Sequence, residues 1–404
     1  MPDATAPPSL SPLERAVEAV LPEALDLSHR VHANPEIAFE EHLASRWTAE
    51  LLERHGFEID APVAGLETAF VARWSGERPG PVIAFAGEYD ALPQVGHGCG
   101  HNLMCSSSAG AAVVAARMLG RDFGGEIRFI GTPAEEAGNG KVRLIGAGAF
   151  ADVDACLQIH PADVNTSEIR CLAVTEVGVT YRGTLAHASA DPWLGKNALD
   201  ALVLLYTMVS QWRQHLKPGE RVHGIITHGG AAPNIVPDLT KGRWYLRTPV
   251  DEDLDAMIER FRAMAEAAAT ATGCSVEVEN DPANRCRTML NNPTLLDVWR
   301  RGLADAGIED GPVDPNAGST DMANVSHEVP TIHPFMAIAP KDTPGHSHVF
   351  AAHAGGEDGD AVLPLAIRLL ATTALALIRD PALVEHAWDE LRGQGGGRQR
   401  GSER

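Results

Sequence analysis

The chain has 404 residues, enough for two or three domains, and its 44% hydrophobic and 22% charged residues are a globular balance that excludes wholesale disorder. A formal net charge of −21 with no cluster of Lys and Arg excludes a surface built to neutralise nucleic-acid phosphates. No apolar run reads as the roughly 20 residues that cross a bilayer, the start lacks the pattern of a signal peptide, and six cysteines in so long a chain do not suggest a disulfide framework. The expectation is a cytoplasmic protein with neither nucleic-acid nor membrane partners.

Residues 1–10 are Pro/Ala-rich and expected to be loose. Ser11-Pro12-Leu13-Glu14 then predicts a helix start, with Ser as N-cap, Pro at the first position and Glu at capping-box spacing. That helix runs to about His32, Asn34-Pro35 breaks it, and a second follows from about Glu40 to His55. Short apolar runs at Pro81–Ala86, Glu126–Gly131 and Ala155–Ile159 read as buried parallel strands, with a helix of small residues from about Leu103 to Leu119 between the first two. Each strand ends in a polar cluster: GEYDALP, TPAEE and HP. Ligands bind beyond the carboxyl ends of such strands, so the three clusters are expected to converge.

From about Leu172 to Asn284 the pattern becomes strand (173–182), helix (196–216), strands (222–227 and 239–246), helix (252–271) and strand (275–279). That β-α-β-β-α-β order is ferredoxin-like. The predicted architecture is therefore an α/β catalytic domain with a mixed sheet, residues 11–171 and 285–392, carrying an inserted α+β domain at 172–284. The tail from 393 to 404 is expected to be flexible, like residues 1–10.

The residues that carry chemistry are concentrated in a few places. Gly96-His97-Gly98-Cys99-Gly100-His101-Asn102 combines flexible backbone with ligand types suited to zinc or manganese. Glu135-Glu136 follows a buried strand; on extended backbone the two carboxylates would point in opposite directions, one free to bind metal and the other to act as a base. His160 follows another strand, and His346-Ser347-His348 lies near the C-terminus. Alone, each also reads as a glycine turn, a solvated acidic turn or a capped strand end. Together, at strand ends of one domain, they point to a metal site with a spare carboxylate, the arrangement that generates a nucleophilic hydroxide and takes up its proton.

The series EYDALP (88–93), GHGCGHN (96–102), GTPAEEAGNGK (131–141), QIHP (158–161), GTLAHAS (183–189), GGAAPNIVPD (229–238), GSTDM (318–322) and HSHVF (346–350) resembles the M20 metallopeptidase family. Within it, the similarity is to the amidohydrolase branch of aminobenzoyl-glutamate hydrolase, aminoacylases and dipeptidases. The resemblance implies a homodimer formed through the inserted domain, which also acts as a lid. It implies two divalent ions, Zn or Mn, on Cys99, His101, Glu136, His160 and His346, with His348 an alternative to His346. Glu135 would be the general base and later the proton donor. His187, with Asn234 beside it, would polarise the scissile carbonyl of the neighbouring subunit's substrate, while Arg247, Ser319 and Thr320 would grip a substrate carboxylate. Asp90 and Asn102 would stand behind the ligands. Glu88 occupies a place where many relatives carry a ligating histidine and is not expected to ligate; His97 is given a structural place. The implied activity is hydrolysis of a small N-acyl or aminoacyl amino acid. Hydrolytic removal of an aryl amine group, or a catalytically silent binding protein, are the alternatives.

Overall fold

The computed structural model describes residues 10–313 and 318–397. The loose ends expected at 1–10 and 393–404 lie largely outside these residues. By its internal contacts the chain divides into two compact units: Cys171–Thr288, joined by residues 318–320, form one, and the remaining described residues form the other. The sequence reading placed 318–320 in the larger domain; they cluster with the smaller unit.

The larger unit begins with helix α1 (Pro12–Ala33), and its capping box is in place: Ser11 Oγ accepts the Glu14 N–H at 3.2 Å, and the Glu14 carboxylate accepts the Ser11 N–H at 2.7 Å. Helix α2 (His42–Arg54) and strands β1 (Glu58–Asp60), β2 (Phe70–Ser75) and β3 (Arg78–Glu88) follow. After them come α3 (His101–Leu119), β4 (Gly124–Thr132), the one-turn α4 (Glu135–Gly138), α5 (Gly140–Gly146), β5 (Ala155–Leu157) and β6 (His160–Ala162).

The smaller unit contains β7 (Ala173–Arg182), α6 (Ala198–Trp212), β8 (Arg221–His228), β9 (Leu239–Thr248), α7 (Asp251–Thr272), β10 (Ser275–Glu279) and β11 (Arg285–Cys286). The chain then returns through α8 (Pro293–Asp305), α9 (Met322–Glu328), β12 (Thr331–Ile332), β13 (Phe335–Ala337), α10 (His348–Ala354), α11 (Glu357–Arg379) and α12 (Pro381–Gly393).

The main sheet has the order β1-β2-β4-β3-β5-β12. Strands β4, β3, β5 and β12 run parallel, and β2 and β1 add an antiparallel edge. The central strands are buried and read as Val/Ile/Phe/Ala runs, as a sheet covered on both faces requires. The parallel arrangement brings Glu88, Thr132 and Leu157 to the same end of neighbouring strands, so the polar residues after them emerge side by side. Helix α3 is buried at every residue from His101 to Ala116, which explains its Ala, Ser and Gly content: larger side chains would hold the neighbouring helices away. A Cβ at Gly110 would lie 2.7 Å from Ile367 Cδ1 of α11.

Helix α11 corrects one expectation. It is long and apolar enough to cross a membrane by length and composition, yet most of its apolar window is buried inside the unit. Its composition is that of a central core helix.

The smaller unit has four antiparallel strands in the order β10-β7-β9-β8, with the short β11 also paired to β7. With α6 and α7 this is the ferredoxin-like arrangement. Its separate core includes Leu202, Leu205, Trp244 and Phe261, the last two rings 5.3 Å apart. All six cysteines lie among the described residues, and none is joined in a disulfide there.

Gly110→Val should destabilise the protein by about 1–3 kcal/mol, because the added methyl groups meet Ile367 at a close-packed helix crossing. Denaturant unfolding measures the effect; an unchanged midpoint would contradict this packing.

Candidate metal centre

Beyond the carboxyl end of β3, Asp90 is fully buried, and both its backbone oxygen and its Oδ1 accept from His101 Nδ1, at 2.8 and 3.0 Å. Oxygen acceptors on that side require the proton to sit on Nδ1, leaving the Nε2 lone pair free. His160 has the same disposition, with its Nδ1 2.6 Å from the Pro161 carbonyl. His101 opens α3, preceded by Gly100 at φ 77°, a left-handed turn that glycine makes without strain.

The acid pair departs from the sequence reading. Glu135 and Glu136 lie on the one-turn α4, not on extended backbone, and Ala134 before them has φ 60°. The other Asp90 oxygen, Oδ2, accepts the Glu136 N–H at 2.9 Å. Glu136 thereby comes within 4.0 Å of His101 Nε2 through Oε1 and 3.7 Å of His346 Nε2 through Oε2. His346 has φ 54° and its N–H donates to the Gly98 carbonyl at 3.1 Å, so the C-terminal loop is tied directly to the glycine loop.

Among the described residues, three groups of side chains present potential ligand atoms within 4.8 Å of one another: Cys99, His101 and His160; Cys99, Glu136 and His346; and Glu88, His101 and Glu135. His348, the first residue of α10, belongs to none of them. The five expected ligands thus fall into two groups that share the Cys99 thiol. A cation suits this donor set: His101 Nε2, Glu136 Oε1 and Glu88 Oε2 are buried without hydrogen-bond partners, and such atoms are costly unless something coordinates them.

Burial and neighbouring charges govern the protonation of these groups. Burial pushes the Cys99 thiol well up and holds His160 down at about 4. Burial disfavours charge on His101, but the adjoining Asp90 carboxylate outweighs it and raises the histidine well above its ordinary range. Burial, reinforced by the charges of Glu88, Glu136 and Asp321, raises Glu135 well above an ordinary carboxylate.

Lys141, Asp321 and His333 are not singled out by the sequence, which names Glu88 only as a residue not expected to ligate. Glu88 is fully buried, with Oε2 3.3 Å from His101 Nε2. Its Oε1 meets Lys141 Nζ at 2.6 Å, and the same ammonium contacts Asp321 Oδ1 at 2.6 Å. Asp321 Oδ2 accepts the Lys141 backbone N–H at 2.9 Å. Burial opposes the Glu88 charge, yet Lys141 draws its carboxyl down to about 2. His333 is buried nearby, its ring 5.6 Å from that of His160. Lys141 and Asp321 stand in two of the motifs, but nothing in the pattern says that a lysine is sunk between two acids. Asn102 donates to Ser28 Oγ and the Ala354 carbonyl, both at 2.9 Å, and so ties helices together. His97, also buried, lies 3.1 Å from the Val31 carbonyl through Nε2.

The remaining candidates belong to the smaller unit. His187 Nδ1 accepts the N–H groups of Ser189 and Ala190, both at 3.2 Å, so its proton resides on Nε2. The Asn234 carbonyl accepts the Ala188 N–H at 3.0 Å. Arg247 Nη1 donates to Ser319 Oγ at 2.8 Å, and among the described residues no carboxylate lies within ion-pair distance of it. Thr320 is buried beside Ser319 in the chain.

The family described as Peptidase family M20/M25/M40 matches residues 84–376. The Xaa-Arg dipeptidase of Mus musculus is 38% identical over 386 residues, covering 91% of this chain and 88% of its own length. One chain of the p-aminobenzoyl-glutamate hydrolase of Escherichia coli is 34% identical over 315 residues, covering 73% of this chain and 65% of its own. Among solved structures, an aminobenzoyl-glutamate utilization protein from Klebsiella pneumoniae shares the fold, with a TM-score of 0.70 at 19% identity, covering 90% of this chain and 98% of that one. A dinuclear metal binding peptidase of the M20 family from Bacillus subtilis has a TM-score of 0.66 at 22% identity, with 90% and 99% covered.

Asp90→Ala should weaken metal binding about 10–100-fold, because it leaves the His101 ring with the backbone oxygen alone as acceptor and releases the Glu136 N–H. Competitive metal titration measures this; wild-type affinity in the variant would contradict the assignment.

Proposed function

The chain belongs to peptidase family M20/M25/M40 and is a metal-dependent hydrolase of C–N bonds; within that class we propose that it cleaves the amide bond of a small N-acyl or aminoacyl amino acid. The observation that carries this reading is Glu135, a partly buried carboxylate with a raised pKa, next in sequence to Glu136 and beside the shared-cysteine cluster. In this reading Cys99, His101 and His160 hold one divalent ion and Cys99, Glu136 and His346 a second, zinc or manganese. When bound, the ions polarise the carbonyl and acidify a water.

The protein's own groups do the rest. Glu135 takes the proton of the attacking water as oxygen adds to the amide carbon, then delivers it to the departing nitrogen as the C–N bond breaks. His187 carries its proton on Nε2, as a donor to a carbonyl oxygen must, and we assign it that role with Asn234 fixing its loop. Arg247, without a carboxylate partner among the described residues and held by Ser319, is assigned the substrate carboxylate, with Thr320 alongside. Both named relatives act on amides whose amine half is an amino acid, arginine in one and glutamate in the other, which supports a substrate bearing a carboxylate. The same reading includes a homodimer through the inserted unit and a cytoplasmic location.

The test is amino-acid release from dipeptides, N-acyl amino acids and aminobenzoyl-glutamate. Glu135→Gln should lower kcat by about 10²–10⁴-fold while retaining wild-type metal content, and chelation should abolish activity until metal is restored. A metal-loaded wild type that releases nothing, or an active Glu135→Gln, would contradict the reading. Light scattering should give a mass of two chains; a monomer under assay conditions would remove the dimer from the proposal.

A further inference from the structure

The segment before α2 makes contacts that the hydrolytic reading leaves unexplained. Glu41 occupies the N-cap position of α2, yet its side chain does not cap that helix. The Glu36 carboxylate does so instead, accepting the N–H groups of Leu43 and Ala44 at 2.8 and 3.0 Å. The Glu41 carboxylate is thereby released to reach elsewhere. It is completely buried; Oε1 accepts the Ala134 N–H at 2.8 Å, and Oε2 accepts the Thr68 hydroxyl at 2.8 Å.

Ala134 immediately precedes Glu135 and has φ 60°, a left-handed conformation that is unfavourable for an L-residue and needs support from its surroundings. Glu41 supplies the buried acceptor for the N–H at that strained position, a donor that would otherwise be left unmet. The same segment touches the turn again at its far end: a Cβ at Gly138 would lie 2.4 Å from Phe39 Cε2, and Arg143 lies over the same ring at 5.5 Å. The segment also reaches the neighbouring loop, since the Glu36 carbonyl accepts the Ala91 N–H at 2.8 Å and the Tyr89 hydroxyl donates to the Thr68 carbonyl.

We propose that Glu41 is a positioning residue for hydrolysis: by holding the Ala134 N–H it fixes the left-handed turn that aims Glu135 and Glu136, with Phe39 bracing the end of that turn. This rests on the hydrolytic reading above. Glu41 touches no expected metal ligand, and it acts through the backbone.

Glu41→Ala, Glu41→Asp and Glu41→Gln separate this role from a merely structural one. Glu41→Ala removes the acceptor, so kcat should fall about 10–100-fold with KM within about twofold, since small misplacements of a catalytic group have effects of that size. Glu41→Gln keeps an oxygen for the Ala134 N–H and should recover most of the rate. Glu41→Asp retains the carboxyl group but withdraws it by one methylene, and should lower kcat even if the alanine variant fails to fold. Hydrogen exchange of the peptide spanning Ala134–Glu136 gives a readout independent of activity: it should quicken at least about tenfold in the alanine or aspartate variant and return towards wild type with glutamine.

Unchanged kcat in both Glu41→Ala and Glu41→Asp would overturn the proposal. So would a glutamine variant as impaired as alanine, unchanged exchange, or losses that merely track global unfolding. A wild type that releases no amino acid would sink the hydrolytic reading alone, with the exchange measurements still deciding whether Glu41 holds the turn.

Discussion

One carboxylate sets the geometry on which the cluster depends. Asp90 directs Oδ1 to the ring of His101 and Oδ2 to the backbone of Glu136. These residues follow β3 and β4, adjacent parallel strands whose axes lie about 4.8 Å apart, so a single planar carboxylate spans the gap between their loops. It fixes which nitrogen of His101 is free and where the Glu136 side chain begins. Everything beyond this bridge, including the approach of His346 to Glu136, inherits its accuracy.

Around that bridge the protein accumulates negative charge. Glu88, Asp90 and Asp321 are fully buried, Glu135 and Glu136 partly so, and Lys141 is the buried ammonium among them. Such a concentration is unfavourable in itself, because burial strips ions of water faster than a pair of contacts restores the loss. The apolar sheet and helices of the larger unit must carry the stability, and a bound cation would offset part of the electrostatic cost by binding only the folded form. Lys141 limits the excess: it bridges Glu88 and Asp321, offsetting one of their two charges, and leaves the other acids for work at the cluster.

Much of this was legible in the sequence because it follows from local rules. The Ser11 capping box, the Asn34-Pro35 break, the apolar parallel strands and the small-residue helix each carry a signature set by backbone geometry. The order of elements from 173 to 279 likewise specifies a ferredoxin-like sheet. The ligand types were visible in their motifs, and parallel strands bring those motifs to one end of a sheet. What remained hidden depends on contacts across long separations or on local strain. The acid pair reads as extended because nothing in Thr-Pro-Ala-Glu-Glu announces a left-handed alanine. Lys141 meets Asp321 across 180 residues, and Glu41 meets Ala134 across 93, through bonds that no periodicity encodes. Helix α11 shows the opposite limit: its composition fits a bilayer or a protein core equally well, and only its neighbours decide.

The interruption of the larger unit by the smaller one has a consequence for synthesis. The fragment ending at Arg170 contains Cys99, His101, Glu136 and His160, but its sheet still lacks β12 and its central helix α3 lacks the cover of α11. As the ribosome proceeds from the N-terminus, the smaller unit can complete its own core while the first fragment waits with apolar surface unburied. Closure comes only after β12, which starts at Thr331, then His346 and finally α11, which ends at Arg379, have emerged, a long-range pairing of the kind that slows folding. His346, the last of the expected ligands in chain order, is therefore made shortly before the helix that seals the core, so the candidate cluster and the core are completed together.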